Sequence, residues 1–167
     1  MQRRTFLIST ALACTSMGYA QAQAWPDRPL KIFQGFAAGG NADAIARLIG
    51  SEISKPLGQA IVVEAQAGAG GTIAANTVAR ARPDGYTLLL ATGGHVVAGA
   101  LYNTLPYQTV TSFEAGCTIT YFPFLLVTTA ESRMRNFRDV VTAATAAPGT
   151  VAYGTAGIGS THHLAGE

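Results

Sequence analysis

Leu30-Lys-Ile-Phe-Gln-Gly-Phe36-Ala-Ala-Gly-Gly40-Asn-Ala-Asp43 decides the fold. Leu30 to Phe36 is mostly apolar and reads as a strand. It runs into a glycine turn, Phe36 to Gly40, and Asn41 to Lys55 follows with Ile45, Leu48, Ile49 and Ile53 on one helical face. Asn41 is the expected N-cap, and Pro56 with Gly58 stops the helix. A strand that turns on glycines into a helix is the unit of a parallel α/β sheet.

The unit recurs along the chain. Ile61 to Glu64 is a short apolar strand that enters Ala67-Gly-Ala-Gly-Gly-Thr72, and a helix is expected from about Thr72 to Arg82. Pro83-Asp-Gly85 is a turn. Tyr86 to Ala91 reads as a strand buried on both faces and leads into Thr92-Gly-Gly-His95. The order β-α-β-α-β predicts a doubly wound, mainly parallel sheet, with ligands beyond the carboxyl ends of its strands. Those ends are where the first three glycine turns lie.

A glycine lets the backbone approach a ligand closely. The helix start behind it offers unpaired N–H groups and a partial positive charge, so each turn is a candidate anion site. From these turns come Gly70, Thr72, Thr92 and Gly93 as candidate ligand-binding residues.

Further on, His95 to Tyr102 reads as a short helix with a loop through Pro106. Gly116 to Thr129 is β-branched, aromatic and broken at Pro123, so it reads as two strands or a strand and a crossover. Phe137, Val140, Val141 and Ala144 share a helical face that Pro148-Gly149 closes. Val151 to Tyr153 is a predicted strand entering a fourth turn, Gly154-Thr-Ala-Gly-Ile-Gly-Ser-Thr161, and Ser160 onward begins a helix. That helix has no room to finish, which suggests the first part of a longer protein.

The first residues have the pattern of a secretory signal. Arg3 and Arg4 form a basic start, Phe6 to Ala13 is apolar, and Ala20-Gln-Ala22 and Ala22-Gln-Ala24 are candidate cleavage sites. Arg3-Arg4-Thr5-Phe6-Leu7 also resembles a twin-arginine signal. Cys14 invites a lipoprotein reading, which Ala11 weakens because an acylation box usually has Leu there. The expectation is residues 1–24 as a signal peptide and a periplasmic chain from Trp25. Taking Arg3 and Arg4 from the eleven basic residues leaves nine, equal to the nine acidic ones. No basic patch then argues for nucleic acid, and no later apolar run is long enough to span a membrane. Cys117 is the one cysteine after the cleavage sites, so no intrachain disulfide is expected, and its setting reads as a buried free thiol.

Other chemistries fit poorly. The fourth turn has the spacing of a phosphate-binding loop, but Ser160 stands where the lysine should be. The second turn lacks the third glycine of a dinucleotide fingerprint. His162 and His163 are neighbours and point about 100° apart on a helix, so one ion would rarely take both. No metal and no cofactor is expected. Asp43, the carboxylate beside a glycine turn, either favours the helix dipole or fixes the turn or a ligand group. Ser160 and Thr161 could cap the last helix.

In order and spacing the sequence resembles the solute-binding proteins of tripartite tricarboxylate transporters, the Bug-type family. The residues concerned are Trp25-Pro-Asp-Arg-Pro29, Phe36 to Asp43, Ala67 to Gly71, Pro83-Asp-Gly-Tyr-Thr-Leu-Leu89, Leu105-Pro-Tyr107, Tyr153 to Ser160 and His163-Leu-Ala-Gly-Glu167. The resemblance implies a two-lobed, periplasmic-binding-protein-like fold of type II, closing on a small carboxylate and delivering it to membrane components of a transporter. It implies lobe one over residues 25–123 and the start of an incomplete lobe two over 124–167. It brings in Ala37, Ala38, Gly39, Gly40 and Asp43 from the first turn, and Thr155, Gly159, Ser160 and His163 from the fourth. Ala37 stands where the family usually has Pro, and Ala65-Gln66-Ala67 where it has Asn-Arg-Pro. Binding needs no catalysis. The alternatives are an α/β enzyme acting on an anionic substrate, with Asp43 or His163 as its base, and a non-functional fragment.

Overall fold

A computed structural model describes residues 24–167. The predicted signal peptide falls outside the described residues apart from Ala24. Three strands form one parallel sheet: β1 (Leu30–Gln34), β2 (Ile61–Ala65) and β3 (Thr87–Leu90), in the order β2-β1-β3. The register pairs Leu30 with Ile61 on one side of β1 and Lys31 with Thr87 on the other. The helices are α1 (Asn41–Leu57), α2 (Thr72–Ala79), α3 (Gly93–Leu101), α4 (Phe137–Ala146) and α5 (Thr161–Gly166). A 3₁₀ turn, Ala69–Gly71, precedes α2.

The step from β1 to β2 runs one way across the sheet, and the step from β2 to β3 runs back over β1. Right-handed crossovers then place α1 and α2 on opposite faces. The contacts agree: α1 packs on β1 and β2, and α2 on β1 and β3. The central strand is therefore the core, with Leu30, Ile32, Phe33 and Gln34 all buried. Small residues let the helices approach it. Ala46, Ala74, Ala75 and Ala98 are buried, and a Cβ on Gly50 of α1 would sit 3.1 Å from Ile61 Cγ2.

Helix ends follow the sequence with local corrections. Gly40, not Asn41, holds the N-cap position of α1, and Asn41 is its first helical residue. Gly58 ends α1 at φ 63°, the left-handed conformation that glycine adopts without strain, and Pro56 lies in the last turn. Helix α2 stops at Ala79, short of Arg82.

Larger corrections concern strands. β3 is not buried on both faces: among the described residues it is an edge strand paired only with β1, and Leu88 is exposed. Residues 116–129 and 151–153 form no strand. Their β-rich composition is real, but a strand needs a hydrogen-bonded neighbour. Among the described residues they pair with no strand, and the outer edges of β2 and β3 stay open. Cys117 falls in this stretch and is exposed, not buried.

Candidate functional site

Strand order reverses between β1 and β3, and a doubly wound sheet opens a crevice at the carboxyl ends of such a pair. A cleft of about 580 Å³ lies there. Phe36 and Ala37 come to it from the end of β1, Leu89 to Thr92 from the end of β3, and Gly40, Asn41 and Ala42 from the start of α1. Gly93 opens α3 into the same space. Thr161 and His162 of α5 and the aromatic rings of Phe122 and Phe124 also line it.

The first turn is built from behind. Gln34 has no exposed surface, and its carboxamide bonds Phe36 twice: Nε2–H donates to the Phe36 carbonyl (2.9 Å), and the Phe36 N–H donates to Oε1 (2.8 Å). Asp43, 3% exposed, takes the Gly39 N–H on Oδ2 (3.0 Å) and Arg47 Nε–H on the same oxygen (2.8 Å). The Arg47 guanidinium, with help from the Gly39 amide, holds the Asp43 carboxyl below its ordinary range against the opposing effect of burial. Asp43 thus fixes the turn, and its charge is matched by Arg47. Neither Gly40 nor Thr92 caps its helix with a side chain, so the first amides of α1 and α3 keep their capacity to bind an anion.

The other glycines pack against one another. A Cβ on Gly94 would lie 2.8 Å from the Gly70 carbonyl oxygen, and one on Gly70 would lie 2.9 Å from that of Gly159. A Cβ on Gly35 would collide with Gly71 Cα, and one on Gly93 would lie 2.8 Å from Thr161 Cγ2. At these glycines four backbone segments meet with little room for side chains.

Of the residues singled out in the sequence, Ala37, Gly40, Thr92 and Gly93 line the cleft. Ala38 and Gly39 sit exposed on the first turn outside that lining, and Asp43 is buried behind it. Gly70 lines an adjoining crevice of about 10 Å³ that shares Phe36 and Leu89 to Thr92 with the cleft, and Thr72 opens α2. The Thr155 hydroxyl accepts the Gly157 N–H at 3.2 Å. Gly159 is buried against Tyr102, and Ser160 is fully buried, its Oγ accepting the His163 N–H at 3.2 Å. His163 turns toward Glu167, with Nε2 3.8 Å from Oε1. The imidazole in the cleft is that of His162, 4.5 Å from the Phe124 ring. The sequence reading missed Phe36, Asn41, Ile45 and His162 as lining residues, and Gln34 as the brace. Their neighbours in the glycine turns were the available signal. Among the described residues no group of His, Cys, Asp and Glu is arranged to hold a metal, and no helix is long and apolar enough to cross a membrane.

Residues 45–167 match the family model described as the tripartite tricarboxylate transporter family receptor. A UPF0065 protein of Bordetella bronchiseptica is 40% identical over 165 residues, covering 98% of this chain and 49% of that one. Protein BugT of Bordetella pertussis is 32% identical over 87% of this chain and 45% of its own. The chain spans about half the length of the curated relatives it matches. Among solved structures, R. palustris Rpa4515 with adipate aligns at TM-score 0.79 and 34% identity over 86% of this chain and 48% of that one. The periplasmic binding protein BugD aligns at 0.71 and 35% over 85% and 48%. The α/β architecture with its parallel sheet is thus that of periplasmic binding proteins, and the chain belongs to the family of tripartite tricarboxylate transporter receptors.

Proposed function

We propose that the chain acts in the periplasm as the carboxylate-binding receptor of a tripartite transporter, holding its ligand at the starts of α1 and α3. The observation that carries this is the pair of helix N-termini without side-chain caps, opening together into one cleft at the β1/β3 switch point. A ligand carboxylate there receives backbone N–H groups and two helix dipoles. The adipate in the Rpa4515 structure supports a carboxylate as the ligand class. Residues 25–123 supply lobe one in this reading, and residues 124–167 the start of lobe two. In this reading the receptor leaves the cytoplasm through a signal peptide over residues 1–24, by the general or the twin-arginine route, and hands its ligand to membrane partners.

An α/β enzyme is the weaker reading. Its base would be Asp43 or His163, but Asp43 is bound to Arg47 with its proton affinity lowered, and His163 lies outside the cleft lining. Calorimetric titration of the full chain with mono- and dicarboxylates tests the receptor reading. Saturable binding at one site, lost in Gly40→Val, is the expected result. Gly40→Val that binds as tightly as the parent would defeat the backbone-amide account.

A further inference from the structure

The start of α3 is held by few side chains. Gly93 and Gly94 have none, Val96 is 73% exposed, and Thr92 leaves the cap position without a side-chain bond. His95 is the exception. Its Nε2–H donates to the Thr109 carbonyl at 2.8 Å, and a carbonyl can only accept, so Nε2 carries the proton. The ring lies parallel to Tyr107, with centroids 5.9 Å and planes 4° apart, and edge-on to Phe113 at 5.0 Å. Tyr107 and Phe113 meet edge to face at 5.7 Å. These rings fasten the segment that follows α3, in which Tyr107 is buried while Gln108, Val110 and Ser112 are exposed. Beyond Phe113 the chain runs to Thr118, Ile119 and Thr120, which line the cleft. One imidazole thus joins two segments that lead to the cleft wall, the first turn of α3 and residues 107–113.

Resting on the receptor reading above, we propose that His95 is a positioning residue: its bond to the Thr109 carbonyl holds the start of α3 and the 107–113 segment in one arrangement, and so presents the α3 amides to the cleft. His95 lies outside the cleft lining, so it acts through α3 and not by contact with a ligand. The two contributions of the ring are separable. Stacking on Tyr107 and Phe113 stabilises through buried area and depends on ring shape. The hydrogen bond is directional and fixes where α3 begins relative to Thr109. Its loss lets the binding-competent arrangement fall in population by no more than the bond is worth, about three- to tenfold.

Two variants of the full chain separate these contributions. His95→Phe keeps a ring between Tyr107 and Phe113 but has no donor, and His95→Gln returns an N–H donor near the place of Nε2 but has no ring. The amides of His95, Ser112 and Phe113 are bonded to carbonyls and report on both segments by hydrogen exchange, with no ligand needed. His95→Phe is expected to speed exchange at all three by about three- to tenfold, and to weaken adipate binding, read by calorimetry, by a similar factor. His95→Gln is expected to recover adipate affinity although its thermal transition falls below that of His95→Phe. Affinity then follows the donor while stability follows the ring, a split that a merely structural role would not produce. Unchanged exchange in His95→Phe, faster exchange confined to one segment, parental adipate affinity in His95→Phe, or equal losses of affinity in the two variants overturns the proposal and leaves the receptor reading in place. A parent that binds no adipate overturns both.

Discussion

Asp43 shows how much one side chain can organise at the mouth of the cleft. Its Oδ2 accepts from Gly39 of the turn and from Arg47 one helical turn later, so the turn and the helix start are tied to one oxygen. The bonds favour the charged form, and the folded-state value lies below the ordinary 3.8. A depressed carboxyl value stabilises the fold fully above the unfolded value, and that contribution is lost as the pH falls through the folded one. Asp43→Asn is therefore expected to lower stability at pH 7 and to flatten the loss of stability below about pH 4. Urea unfolding at a series of pH values measures both, and an unchanged acid limb in the variant would contradict this role. Ser160 makes a contrasting case. It is buried and caps α5, so Ser160→Ala is expected to cost about 0.5–2 kcal/mol of stability. Thermal melts measured beside carboxylate titrations would separate that loss of a cap from loss of a ligand contact.

At the scale of elements, glycines set the distances between turns. Gly94, the second residue of α3, lies against the carbonyl of Gly70, and a methyl group there would meet backbone at 2.8 Å. Because neither segment can swing aside like a side chain, Gly94→Ala is expected to destabilise by about 1–3 kcal/mol. Gly116, in the irregular stretch, has nothing within 4 Å of an added Cβ. Gly116→Ala is expected to stay within about 0.5 kcal/mol of the parent. Equal effects of the two substitutions in chemical denaturation would remove the packing argument. The helices and the first three strands were legible because each carries its own period and its own stop signals, such as Gly58 behind α1. The strands expected at residues 116–129 and 151–153 were misread for a complementary reason: composition reports a preference for extended backbone, whereas pairing depends on a neighbour.

On the scale of the whole molecule, apolar surface is unevenly distributed. Tyr121 is 89% exposed, Leu125 80% and Val127 79%, and Phe137 and Val141 of α4 also face outward. Exposed apolar side chains in such number promote association. The chain produced by itself is expected to self-associate and to bind a hydrophobic dye. Replacing Leu125 and Val127 together by Ser should reduce both signals, read by light scattering and dye fluorescence. A monodisperse parent monomer with no dye response would refute the expectation. The sheet is the opposite extreme, since β1 is enclosed by strands on both edges and helices on both faces.

Local chemistry determined the parallel α/β order, the places of the glycine turns and the family. Those features rest on period, on glycine's backbone freedom and on short-range caps, all of which act between residues near in sequence. Only the tertiary structure decided what each glycine turn does. The first and third turns open into the cleft, while Gly70 and Gly159 pack backbone against backbone. The two neighbouring histidines divide in the same way. His162 lines the cleft and His163 turns to Glu167, because the direction in which α5 packs against α3 sets which face of its first turn meets the cleft. That direction depends on contacts between segments far apart in the chain, which no local pattern encodes.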